Sequence, residues 1–195
     1  NEKFEFGASA RYNYRDNDVQ SIGQVENFLP GGANSSFSNS NTANRNKNQN
    51  FNGHLRMEWR PDSMTTFFMR GNVSWGDSES GSNSLKATYN SDPFKAVFDP
   101  YQYLGFDSEA NEALDSIRVN TSNSGSLSES NSLSANMNMQ LTRKLNDKGR
   151  NITLRVNGSY GDNESDRFSN NMTRYYTDGI LVTEDTIRRY ISTPT

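Results

Sequence analysis

From Lys3 to Arg15 the chain alternates. Phe4, Phe6, Ala8, Ala10, Tyr12 and Tyr14 hold the even positions; Lys3, Glu5, Gly7, Ser9, Arg11, Asn13 and Arg15 hold the odd ones. Successive side chains of a strand point to opposite faces, so this period of two builds one apolar and one polar face. A helix would scatter the same residues around its axis. The pattern returns over 50–60, where Phe51, Gly53, Leu55, Met57 and Trp59 oppose Asn52, His54, Arg56, Glu58 and Arg60. Over 65–76, Phe67, Met69, Gly71, Val73 and Trp75 oppose Arg70, Asn72 and Ser74, with Phe68 as an aromatic intruder on the polar side. Residues 132–145 set Leu133, Ala135, Met137, Met139, Leu141 and Leu145 on one face, with Arg143 the only charge among them. Residues 151–161 alternate Ile152, Leu154, Val156, Gly158 and Tyr160 with Thr153, Arg155, Asn157 and Ser159. A weaker sixth strand is predicted over 186–193.

The connections are lopsided. Pro61-Asp62-Ser63-Met64 and Asn146-Asp147-Lys148-Gly149-Arg150 are tight turns, the second with a glycine suited to positive φ. Residues 16–49, 77–131 and 162–185, crowded with Asn, Ser, Asp and Gly, read as long loops, with a short helix within Asp107 to Ile117. Loops this long are uncommon in compact soluble domains. Short turns at one end of a strand array and long loops at the other are the porin-type arrangement. The expected fold is therefore all-β: an antiparallel transmembrane β-barrel segment of about five or six strands, with short periplasmic turns and long extracellular loops. It forms a single partial barrel domain over 1–195.

A soluble sandwich also alternates, and three features favour the membrane. The alternating runs exceed the five or six residues usual in globular proteins and suffice for a tilted spanning strand of about 9–11. Phe4, Phe6, Trp59 and Phe67 lie toward the short turns, and Tyr12, Tyr14, Phe51, Trp75 and Tyr160 toward the loops, as two interfacial girdles would. On the apolar face the middle of the band between them is free of charge, and Arg143 stands two residues from a strand end, where it can snorkel.

Composition changes this picture little. A mean hydropathy of −0.94 with 31% hydrophobic residues would suit a disordered chain, but aromatics reach 11% and fall in register with the alternation. Net charge is −3 with no basic run, so nucleic acid is not an expected partner. There is no cysteine for a disulfide or thiolate metal site, and no apolar run long enough for a transmembrane helix. The first residues lack a signal-peptide pattern, which is expected of a mature chain or internal fragment. The smallest membrane barrels have eight strands, and lipid does not tolerate open edges. Neighbouring segments are therefore expected to close the barrel.

Several segments resemble the outer-membrane β-barrel family of Bacteroidetes known as TonB-dependent receptor-like proteins. They are YNYRDNDVQS, ENFLPGG, NFNGHLRMEWRPDSMTTFFMRGNVSW and LTRKLNDKGRNITLRVNGSY. The hairpins Glu58 to Thr65 and Asn146 to Asn151 are the most telling, and together these segments cover about half the chain. The resemblance implies a location in the outer membrane of a Gram-negative cell and a role in surface binding or uptake of a nutrient. Implied partners are outer-membrane lipid, the remainder of the barrel and its plug, TonB and a surface lipoprotein. Family members usually carry a β-sandwich and a plug before the barrel, and neither pattern occurs in these residues. Two other readings stay open: a non-transporting structural or assembly barrel, and a soluble β-rich surface recognition domain.

No catalytic, cofactor or metal site is expected. His54 is the only histidine, which leaves no histidine metal cluster and no nucleophile–histidine pair beyond this one residue. Asp16-Asn17-Asp18 and Gly161 to Asp166 offer oxygen ligands without the spacing of a calcium loop and read as solvated loop. Arg11, Arg56, Arg70 and Arg155 share the polar face; they either guide an anionic solute or pair with carboxylates such as Glu5 and Glu58 or those of a plug. Tyr89, Phe94, Phe98, Tyr101, Tyr103 and Phe106 cluster in the second long loop as candidate ligand-binding residues. They either form an exposed contact platform or the loop's own small core.

Overall fold

Each alternating run is one end of a longer strand. The computed structural model describes residues 3–28, 36–146 and 148–193. Its strands are β1 (Lys3–Asn27), β2 (Ser36–Arg60), β3 (Thr65–Tyr89), β4 (Arg118–Lys144), β5 (Asn151–Thr177) and β6 (Ile180–Thr193). They form one antiparallel sheet in sequence order, with β1 and β6 as its edges. The all-β antiparallel expectation holds, and the sheet is open in this structure.

The expected loop bounds need correction. Most of 16–49 belongs to β1 and β2, with 29–35 outside the described residues. The 77–131 loop shrinks to 90–117, because β3 runs on to Tyr89 and β4 starts at Arg118. The 162–185 loop is absent: β5 continues to Thr177, and β6 begins at Ile180 rather than near residue 186. Over much of these outer halves, outside the patch around Phe37, Leu85, Ala87 and Tyr89, both faces of the sheet are polar, so the contrast that reveals a strand disappears while its ladder persists. Cross-strand hydroxyl and amide pairs support the ladder there. Thr42 and Ser84 lie 2.9 Å apart, Gln20 Nε2 donates to Asn41 at 3.0 Å, and Ser124 donates to Asn171 at 2.9 Å.

The two turns form where expected. Asp62 accepts from the Met64 backbone N–H at 2.7 Å and from the Thr65 hydroxyl at 3.1 Å, closing β2 onto β3. The Met64 bond is the main reason its carboxyl is held below the usual carboxylate range. Gly149 takes φ of 88°, Asn146 Oδ1 accepts from the backbone of Lys148 and Arg150, and Asp147 lies outside the described residues. The β5–β6 turn is a two-residue Asp178-Gly179 hairpin, φ 51° and 78°, a geometry suited to the twist of its strands.

The buried core is small and sits far from the alternating runs. Ala87 and Tyr89 of β3 pack with Leu104 and Leu114 from 90–117, flanked by Phe37, Leu85, Val97, Tyr101, Tyr103 and Ile117. Within 90–117, α1 (Glu112–Asp115) is capped by Asn111, whose side chain accepts from the Leu114 N–H, so the predicted helix is a single turn. Ala87 has the same strand parity as Val73 and Trp75. The loop therefore folds back over the continuation of the apolar face.

Candidate functional site

Register turns the alternation into two different surfaces. On the apolar face five successive rows run across β1 to β5. The first is Phe4, Trp59, Phe67, Leu141 and Leu154; the second is Phe6, Met57, Met69, Met139 and Val156. The third is Ala8, Leu55, Gly71, Met137 and Gly158; the fourth is Ala10, Gly53, Val73, Ala135 and Tyr160. The fifth is Tyr12, Phe51, Trp75, Leu133 and Asp162, so one charge enters the band at its upper edge. Large apolar side chains stand open along it, Phe4 and Phe6 at 60% exposure and Met137 at 43%. First to fifth row spans eight residues, about 27 Å along the strand. Arg143 sits one row beyond the band, between Thr65 and Ile152.

Past the fifth row the same face turns polar. Tyr14, Gln49, Asp77, Asn131 and Glu164 make the next row, and Asp16, Lys47, Glu79, Glu129 and Asp166 the one after. The Asp16–Arg45 ion pair (3.2 Å) lies here; the hydrogen bond from Arg45 is the main cause holding the Asp16 carboxyl below its usual range. The stretches Asp16-Asn17-Asp18 and Gly161 to Asp166 are strand residues, and among the described residues no cluster of His, Cys, Asp and Glu could hold a metal ion.

The opposite face is hydrogen-bonding; above its lowest rows it is mostly Asn, Ser and Thr, with the scattered cations Arg11, Arg15, Lys86 and Arg167. Asn52, Ser74 and Ser134 follow Arg11 in one row, and Asn50, Gly76, Ser132 and Asn163 follow Asn13 in the next. Ser74 and Ser134 lie 2.7 Å apart, and Asn138 donates to Asn157. His54 stands here opposite Asn72. The predicted arginines gather at the lower end of this face. Arg56 and Arg70 are direct cross-strand partners, and both guanidiniums lie over the Phe68 ring, at 5.7 and 5.6 Å from its centroid. Phe68, an intruder in the alternation, is thus the floor beneath two cations, an arrangement signalled by an aromatic two residues before an arginine on a polar face. Arg155 donates to Gln140 at 3.0 Å, and Arg11 stands a row away from His54.

The six loop aromatics divide. Tyr89 is fully buried and Tyr101 and Tyr103 are partly buried, all three within the small core. Phe94 meets Tyr101 edge-on, with ring centroids 6.0 Å apart. Phe106 lies under the Arg174 guanidinium, 4.4 Å from it, and Arg174 is paired with Glu184 at 2.7 Å. Only Phe98, at 98% exposure, projects freely. Burial pushes the Tyr89 phenol above its usual value of 10.0, partly offset by the nearby Arg118 charge. Compared with known proteins, the chain matches no protein-family model and no curated protein sequence.

Proposed function

We propose that this chain is part of the wall of an outer-membrane β-barrel, receptor-like in kind, whose apolar face meets lipid and whose polar face lines a wet interior. One observation carries the reading: two aromatic rows in register. Phe4, Trp59 and Phe67 stand side by side across three strands, and Tyr12, Phe51 and Trp75 do so eight residues further along. The rows between them are charge-free across all five strands, at a spacing close to the apolar band of about 25 Å of known barrels. A sandwich core has no need for aromatics concentrated toward its two rims.

The edges support the same reading. The alternating part of β1 has one neighbour, and β5 below Ser165 has no partner on the β6 side among the described residues. Backbone groups left unpaired in hydrocarbon cost several kcal/mol each, so other strands would pair both edges. Above the band, the strands continue for about 45 Å as a wall standing in water. The Asn- and Ser-rich interior, with its arginines toward one end, suits a polar solute, in line with surface binding or uptake of a nutrient. The resemblance to the Bacteroidetes receptor-like barrels points the same way, with a plug, TonB and a surface lipoprotein as partners of the whole protein. Exposure of Phe98 favours, as a second role, contact with a partner at the cell surface.

The test is heat-modifiable gel mobility of the full-length parent protein from fractionated membranes. A folded band that shifts on boiling, found in the outer-membrane fraction, supports the barrel. A protein that stays soluble without detergent and shows no shift refutes it.

A further inference from the structure

Like charges directly opposite on neighbouring antiparallel strands are destabilising unless something neutralises them. Arg56 and Arg70 are such a pair. Two carboxylates are near, and both are engaged nearer the strand ends. Glu5 is bound by Lys3 at 2.6 Å; Glu58 is held closely by Arg60 and reaches Arg56 only at 3.7 Å. Arg70 makes no ion pair or hydrogen bond among the described residues; its contact is the Phe68 ring. Shallow depressions open on either side of it, one reaching Ser9, His54 and Arg56, the other Asn136, Asn138 and Asn157.

We propose that Arg56 and Arg70, facing each other above Phe68, form a binding site for an oxyanion, with Ser9, His54 and Asn72 as its hydrogen-bonding rim. Guanidiniums offer paired N–H donors that match carboxylate and phosphate oxygens, and the Phe68 ring holds both side chains in place. The ligand class is a carboxylate- or phosphate-bearing group, whether on a free solute or on a polypeptide segment that enters this face. The site rests on the β2–β3 pairing, not on what covers the apolar face, so it can fail while the barrel stands.

The test titrates citrate and inorganic phosphate into the purified protein, in detergent if it extracts only so, at low ionic strength and read by calorimetry. For a free solute, citrate or phosphate binds, and Arg56→Gln and Arg70→Gln each weaken that binding at least tenfold, while Lys148→Gln on the distant turn leaves it unchanged. For a polypeptide carboxylate, neither probe binds, and Arg70→Gln lowers the melting temperature at low salt by several degrees, a loss that shrinks at high salt. Binding that survives both substitutions overturns the site. So does an absence of binding together with an Arg70→Gln protein as stable as the wild type, or one destabilised equally at all salt concentrations.

Discussion

Trp59 and Phe67 face each other directly across the β2–β3 ladder, with Phe4 on the far side of Trp59. The Pro61–Met64 turn lies just beyond them, so this aromatic row marks where the apolar face ends. Cross-strand aromatic pairs contribute about 0.2–1 kcal/mol beyond alanine pairs. A double-mutant cycle of Trp59→Ala and Phe67→Ala should give a coupling of that size in urea unfolding. Strict additivity would mean that the two rings do not share a register.

Met137 sits in the central row, between Gly71 and Gly158. Arginine facing lipid at mid-bilayer costs about 2–4 kcal/mol. Met137→Arg should sharply reduce the heat-modifiable folded band, whereas Met137→Leu, close in volume, should cost less than about 1.5 kcal/mol. Equal yields for the two variants would mean that this face does not meet hydrocarbon.

Tyr89 combines full burial with a hydroxyl that meets no hydrogen-bond partner of good geometry among the described residues, although the Arg118 side chain is near. Its phenol is raised above 10.0 by burial, so its contribution is intact below that value and is lost as pH rises through the raised folded value. Tyr89→Phe should be neutral or mildly stabilising at pH 7, because it removes an unpaired buried group. It should also lessen the loss of stability above pH 10, read by thermal unfolding across an alkaline series.

Gly179 holds φ of 78°, and the nearest atom to an added Cβ would be the Asp115 carbonyl oxygen at an ordinary 3.5 Å. Strain in the backbone rather than a clash then sets the effect of Gly179→Ala, about 1–2 kcal/mol against the β5–β6 hairpin. Asp178→Asn, which tolerates the left-handed region, should be near neutral. Hydrogen exchange of the β6 amides reads both.

How much of this was legible in the sequence depends on contrast between the faces. Phe4 to Tyr14 and Leu133 to Leu141 announce their strands because apolar and polar residues alternate there. Ser122-Asn123-Ser124-Gly125-Ser126 is equally a strand, yet it shows no period, since both of its faces are polar. Its composition matches loops, and only the pairing with β3 and β5 makes it a wall. The β6 start was readable, because Asp178-Gly179 between β-forming residues is a strong two-residue hairpin signal. In the candidate site, the arginines were visible from their parity, but the Arg56–Arg70 pairing depends on the register set by the Pro61–Met64 turn. The loop aromatics could not be sorted in advance, because burial of Tyr89 and projection of Phe98 follow from how 90–117 folds back.

The central claim, that one face of this sheet meets lipid and the other water, is tested most directly by spin-label scanning. These 195 residues contain no cysteine, so single cysteines at each position from Leu133 to Met139 can be labelled with a nitroxide in the parent protein reconstituted in bilayers, once any cysteine elsewhere in it is replaced by serine. Accessibility to oxygen and to a water-soluble nickel chelate should then alternate with a period of two. Positions 133, 135, 137 and 139 should favour oxygen, most strongly at 137, and positions 134, 136 and 138 should favour nickel. Uniform nickel accessibility along the segment, or high oxygen at the even positions, would contradict the account.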